Sequence, residues 1–450
     1  MKPLLIENAR IVNEGTSWLG SVWIREGKIA AVYGAQDPIP AKARQNSEHL
    51  DATGQLLLPG IIDDHVHFRE PGLTHKADIA TESRAAIAGG ITSFMEMPNT
   101  KPPAVNHQEL EKKFSLAQAH AYANYSFYLG ATNDNIEEVR RTDPSQVCGI
   151  KLFMGASTGN MLVDNTQAIE RIFAEAPVLI ACHCEDEDTI RANTSYYQQQ
   201  YGDDIPVGYH SLIRSEEACY LSSSRAVKMA GKHGSRLHVL HLSTARELDL
   251  FEPAHYGSQK KITAEACVHH LWFDQDDYAT MCTRIKWNPS IKTVKDRDAL
   301  RQAVRDNRID VVATDHAPHL AEEKDQPYMK APSGGPMIQH SLQAMLELHH
   351  QGIFSLESLI DKMCHTPARL FNISKRGFIR PGYWADLVLA DPRQTHRVHS
   401  GNLHYKCGWS PMEGRTFHHT ITHTLVNGKI VYQNGQFTGL RNGSRLVFDT

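Results

Sequence analysis

The segment Asp63-Asp64-His65-Val66-His67-Phe68-Arg69-Glu70-Pro71-Gly72 follows an apolar run, Leu56-Leu57-Leu58-Pro59-Gly60-Ile61-Ile62. Alternate residues of a strand share one face, so His65 and His67 project together where the strand leaves a core. Two imidazoles so placed suit Zn²⁺ or a similar divalent ion. The same grammar recurs. His183 ends Val178–Cys182, His241 ends Leu237–Leu240, and Asp315 ends Ile309–Thr314 and opens Asp315-His316-Ala317-Pro318-His319. Each alone reads more readily as a core histidine or a helix-capping aspartate than as a ligand. Four strand ends that together supply four histidines and an aspartate describe a metal centre. Lys151 belongs with them, inside the apolar run Gly149-Ile150-Lys151-Leu152-Phe153-Met154-Gly155. It is either a lysine reaching for solvent or a deprotonated, chemically modified one, because a buried ammonium is costly.

These side chains converge if the strands are those of a barrel. Between about residues 59 and 380 short apolar runs alternate with helical patterns, the signature of parallel βα units. Ala77–Gly89 is helix-like and ends at Gly89-Gly90. Thr244-Ala245-Arg246-Glu247 reads as a capping box opening a helix. A βα unit takes roughly 30 or more residues. The intervals between the ligand-type residues then place them on strands 1, 4, 5, 6 and 8 of eight. Ile262–Val268 becomes strand 7, and Tyr196–Gly202 an inserted loop. In such a barrel the C-terminal strand ends form one active face. Both termini read instead as short strands and hairpins, with tips at Glu26-Gly27-Lys28 and Asn427-Gly428. The expected fold is therefore an α/β TIM (β/α)8 barrel over 59–380, with a small β-sandwich domain built from 1–58 plus 381–450.

Composition limits the function. The chain has 450 residues, 41% hydrophobic and 22% charged, with a formal charge of -4. That argues against a nucleic-acid or anionic-membrane partner held by bulk charge. No apolar run is long enough to cross a membrane, and the N-terminus does not read as a signal peptide. Eight cysteines without a secretory signal fit reduced thiols and a cytoplasmic location. The outlying count is 26 histidines.

His65-Val66-His67-Phe68-Arg69-Glu70-Pro71-Gly72 and Ala313-Thr314-Asp315-His316-Ala317-Pro318-His319, with Lys324 beyond, resemble the two signatures of the dihydroorotases, a group within the amidohydrolase superfamily. Met97-Pro98-Asn99-Thr100 and His241-Leu242-Ser243-Thr244 extend the likeness over nearly the whole chain. The resemblance implies two divalent metal ions, usually zinc. His65, His67 and Asp315 would hold one and His183 and His241 the other, with Lys151 carbamylated by CO₂ and bridging both. His241 is preferred to His238 because it lies at the strand end. The resemblance also implies a substrate pocket. Arg69 would bind a ring carboxylate bidentately, Asn99, Asn288 and His319 would complete the pocket, and backbone groups of Ser333 and Gly334 would lie over the ring.

The implied reaction is the reversible hydrolysis of L-dihydroorotate to N-carbamoyl-L-aspartate in pyrimidine (UMP) synthesis, by water activated at the metal pair, with Asp315 moving the proton. Allantoinase and dihydropyrimidinase chemistry would use the same metals without needing Arg69. A non-catalytic scaffold would not need the full ligand set. A homo-oligomer, most simply a dimer, is expected.

Overall fold

The computed structural model describes residues 2–155, 161–257 and 259–450. Its centre is a ring of parallel strands: Ile61–Val66, Ile91–Glu96, Asn124–Phe127 (continued by Leu129–Gly130), Ile150–Met154, Ile180–Cys184, Leu237–Val239, Ile262–Cys267 and Val311–Ala313. The ring closes where Thr314 meets the first strand. Its hydroxyl donates to Asp63 Oδ2 at 2.6 Å, and Val66 bridges to His316 in parallel. His65, His183, His241 and Asp315 thus lie at or just beyond the ends of strands 1, 5, 6 and 8, Lys151 lies near the start of strand 4, and Ile262–Cys267 is strand 7. These strands are buried on both faces, which is why they read as unbroken apolar runs.

The remaining strands, apart from the short pair His396–Arg397 and Thr416–Phe417, form a mixed sheet from both ends of the chain. Leu56–Pro59 pairs parallel with Leu4–Asn13 on one side and antiparallel with Leu387–Asp391 on the other. Beyond them lie the hairpins Thr16–Arg25/Lys28–Gly34 and Thr420–Val426/Lys429–Gln433. Both turns need left-handed backbone. Glu26 and Gly27 stand at φ 54° and 81°, Asn427 and Gly428 at 48° and 75°. The two tips touch, and a Cβ on Gly428 would lie 2.6 Å from Gly27 Cα. From the sheet the chain returns to the barrel, where Ser444 and Leu446 hydrogen-bond the backbone of Tyr125 on strand 3.

Two local expectations need correction. Tyr196–Gly202 is not a loop: residues up to Tyr201 complete the helix Glu187–Tyr201, whose first turn is capped by Asp186. Its aromatic and glutamine residues are tolerable helix formers once a cap has set the first turn. Conversely, the capping box at Thr244 opens only a short 3₁₀ segment, Arg246–Leu250. Pro253 stops it, since the residue before a proline avoids helical backbone. Glu247 is buried and bonds Ser223 and Thr244 hydroxyls.

Candidate metal and substrate site

A cavity of about 330 Å³ opens at the C-terminal ends of the barrel strands. His65, His67, Arg69, Asn99, Lys151, His183, His241, Asn288, Asp315, His319, Ser333 and Gly334 all line it. His238 does not. It points into the barrel interior, 3.2 Å from Asp64.

The imidazoles are oriented by their second nitrogens. His67 Nδ1 lies 2.8 Å from Asn99 Oδ1, and His65 Nδ1 lies 3.0 Å from Glu265 Oε1. Both Nε2 atoms then face Asp315 Oδ1 at 3.2 Å. His183 Nε2 lies 3.0 Å from Glu185 Oε2, an atom that also accepts from Arg214. A carboxylate only accepts, so His183 carries its proton on Nε2 and its Nδ1 is bare. That Nδ1 points at His241 Nε2, 2.8 Å away. Histidines tied through one nitrogen and aimed inward through the other are the usual preparation for metal binding.

The electrostatics agree. Burial opposes ionisation of Asp315, but His65 and His67 outweigh it and hold its carboxyl well below the usual range. Burial pulls His67 down to about 4 and puts His241 well below its ordinary value. His65 alone is raised, because Glu265 and Asp315 outweigh its burial. Burial lowers Lys151 to about 8, and among the described residues its Nζ has no hydrogen-bond partner.

The donor set fits divalent metal. His65, His67 and Asp315 place their ligand atoms within 4.8 Å of one another. His183 and His241 form a second nitrogen pair, their side reached from His65 at a ring distance of 5.2 Å. The orphaned Lys151 amine is a buried polar atom that needs a partner. Backbone geometry marks the same residues. Arg69, His241 and Asp315 adopt φ of 69°, 40° and 45°, strained for non-glycine residues and typical of positions held for function.

The cavity also holds a buried cation. Arg69 is buried, yet among the described residues it forms no ion pair. Its Nε donates to Pro318 O at 3.1 Å, and its Nη2 lies 3.0 Å from His319 Nε2. Burial brings it down only to about 10, so it stays cationic at neutral pH. His319 is held well below its ordinary value by burial and by Arg69, and Lys76 Nζ lies 3.0 Å from its Nδ1. Its Nε2 meets Ser333 O at 3.0 Å, which ties the 331–336 segment to the wall. Two buried lysines fix that segment from behind: Lys286 on Ala331 O and Lys324 on Pro332 O. Asn288 Oδ1 is buried without a hydrogen-bond partner.

Glu185, Glu265, Arg214 and Trp287 were not anticipated. Glu265 carried a signal, as the acidic residue in the apolar run of strand 7. Arg214 and Trp287 carried none.

Comparison with known proteins places this geometry. Residues 56–431 match the amidohydrolase family. The chain is 34% identical over 406 residues to the dihydroorotase of Halobacterium salinarum, covering 86% of this chain and 92% of that protein. It is 31% identical to the dihydroorotase of Methanothermobacter thermautotrophicus, covering 97% and 95%. Among solved structures it resembles an L-hydantoinase (dihydropyrimidinase) from Arthrobacter aurescens, with TM-score 0.93, 25% identity, and 99% and 100% of the two chains covered.

Proposed function

The chain belongs to the amidohydrolase family and is a metal-dependent cyclic amidohydrolase; within that class we propose that its substrate is L-dihydroorotate. One observation carries the choice. A buried, cationic Arg69 with no acidic partner among the described residues lines the same cavity as the histidine cluster. Leaving such a charge unpaired is expensive unless a ligand supplies the anion. Dihydroorotate has a ring carboxylate that a guanidinium can bind bidentately, whereas hydantoin and dihydrouracil have none. The relatives named dihydroorotase support this reading. The hydantoinase structure supports the alternative, an uncharged cyclic amide.

In this reading His65, His67 and Asp315 would hold one divalent cation and His183 and His241 the other. Burial lowers Lys151 to about 8, so a minor fraction of its amine is neutral at neutral pH, and that free amine would take up CO₂ as a carbamate shared by both. Zinc fits the nitrogen-rich donors. Bound there, the cations acidify water and polarise a carbonyl. Arg69, Asn99 and His319 orient the ring by its carboxylate, and the 331–336 segment covers it. As water adds to the ring amide carbonyl, Asp315 accepts its proton. The C–N bond then breaks, and Asp315 returns that proton to the departing nitrogen. Product is N-carbamoyl-L-aspartate, and the reverse closes the ring for pyrimidine synthesis.

The test is a paired assay on metal-quantified protein, with dihydroorotate and carbamoyl aspartate against hydantoin, dihydrouracil and allantoin. Chelator-sensitive turnover of the first pair is expected. Turnover confined to the uncharged rings transfers the chain to its hydantoinase-like alternative.

A further inference from the structure

Beneath the cavity, inside the barrel, lies a second cluster that the reaction above does not use. Asp64, His238 and Glu265 are fully buried, and their ligand atoms lie within 4.8 Å of one another. They come from strands 1, 6 and 7, so the barrel itself fixes their separation.

The hydrogen bonding leaves these groups unfinished. His238 Nδ1 lies 2.8 Å from Thr263 Oγ1, and that hydroxyl spends its own proton on Leu237 O. The imidazole therefore donates from Nδ1, and its Nε2 either carries a second proton toward Asp64 or presents a lone pair to a cation. Nε2 faces Asp64 Oδ2 at 3.2 Å and Glu265 Oε2 at 3.9 Å, yet it has no hydrogen-bond partner. Both oxygens of Asp64 and Oε2 of Glu265 also lack one. Glu265 spends its other oxygen on His65, on the His241 amide and on Cys267. Among the described residues four polar atoms of this buried cluster thus lack a well-formed hydrogen bond, and the nearest group that could neutralise the two carboxylates is His238 itself. Buried polar groups are otherwise almost always satisfied.

We propose that Asp64, His238 and Glu265 bind a further divalent cation, zinc by its donor set, within the barrel and separate from the cavity site. Two carboxylates and a neutral imidazole balance its charge. Donors about 2.0–2.2 Å from a tetrahedral ion stand roughly 3.3–3.6 Å apart, close to the spacing found here. Because the site is sealed, the ion enters as the chain folds and exchanges slowly. Through Glu265 it stiffens the carboxylate that orients His65.

The test uses the full-length protein expressed with zinc and then dialysed against chelator. Metal content is read by mass spectrometry, and position by anomalous diffraction at the zinc edge. Expected is about one retained zinc per chain with a peak between Asp64 and His238, and none retained in Asp64→Asn or His238→Gln. If both variants fail to fold, the wild-type anomalous map decides alone. Wild-type crystals with zinc in the cavity and no inner peak overturn the proposal, leaving His238 as a protonated bridge, while the dihydroorotase reading stands. An inner peak with no cavity metal does the reverse.

Discussion

The mouth of the barrel and the terminal sheet are both irregular, but for different ends. In the sheet, left-handed residues sit at Glu26-Gly27 and Asn427-Gly428, where the strands must reverse. Asn and Gly accept that backbone at little cost. At the mouth, Arg69, His241 and Asp315 take such conformations with side chains that gain nothing locally from them. The sheet buries Leu5, Ile6, Ile11, Val22 and Leu387, whereas the mouth buries charges. The sheet's exceptions serve the chain's path and the mouth's serve a ligand. Stability should therefore reside in the first region and activity in the second.

Asp315→Asn is the hardest test of that division. It should lower kcat/KM by on the order of 10³-fold or more, since it would remove both the proposed proton carrier and a proposed metal ligand, while the thermal midpoint stays level or rises as mouth repulsions are relieved. Steady-state kinetics and calorimetry on one preparation decide it. A large fall in midpoint would mean that the mouth also holds the fold together. Arg69→Ala comes next. Losing a bidentate charged contact should cost dihydroorotate turnover roughly 10²–10³-fold, with metal content unchanged. Equal losses on uncharged rings would make Arg69 structural.

The converse change is Gly428→Ala. A methyl there meets Gly27 backbone and an unfavourable φ together. Denaturant titration should show a loss of about 2 kcal/mol with kcat unchanged. The smallest effect concerns acid. Burial would raise Glu185, but Arg214 and His183 outweigh it and lower it from 4.5 to about 2. A lowered carboxylate contributes its stability in full above the unfolded value and loses it as pH falls toward the folded one. Stability of the metal-free protein should thus fall between about pH 4.5 and 2, and Glu185→Gln should flatten that slope. An unchanged slope would assign the acid sensitivity elsewhere.

The strand-end residues were legible because each follows an apolar run, and counting βα lengths put them on the right strands. The hairpin tips were legible because turn chemistry is local. Arg214 was not, because its role depends on meeting Glu185 through the fold. Glu265 stood out only as a charge in a buried strand, and its two-sided contact with His65 and the His241 amide exists only once the barrel closes. The Tyr196–Gly202 misreading came from weighing composition over the cap that starts the helix.

Leu56–Pro59 has its partner strand at Leu387–Asp391, on the far side of the whole barrel. During translation, at roughly 5–20 residues per second, that apolar edge stands open for on the order of tens of seconds. All eight barrel strands have been made by Ala313, before the sheet receives this partner. The ribosome therefore holds an exposed strand edge, the kind that invites pairing with a neighbouring chain, until Leu387–Asp391 has emerged.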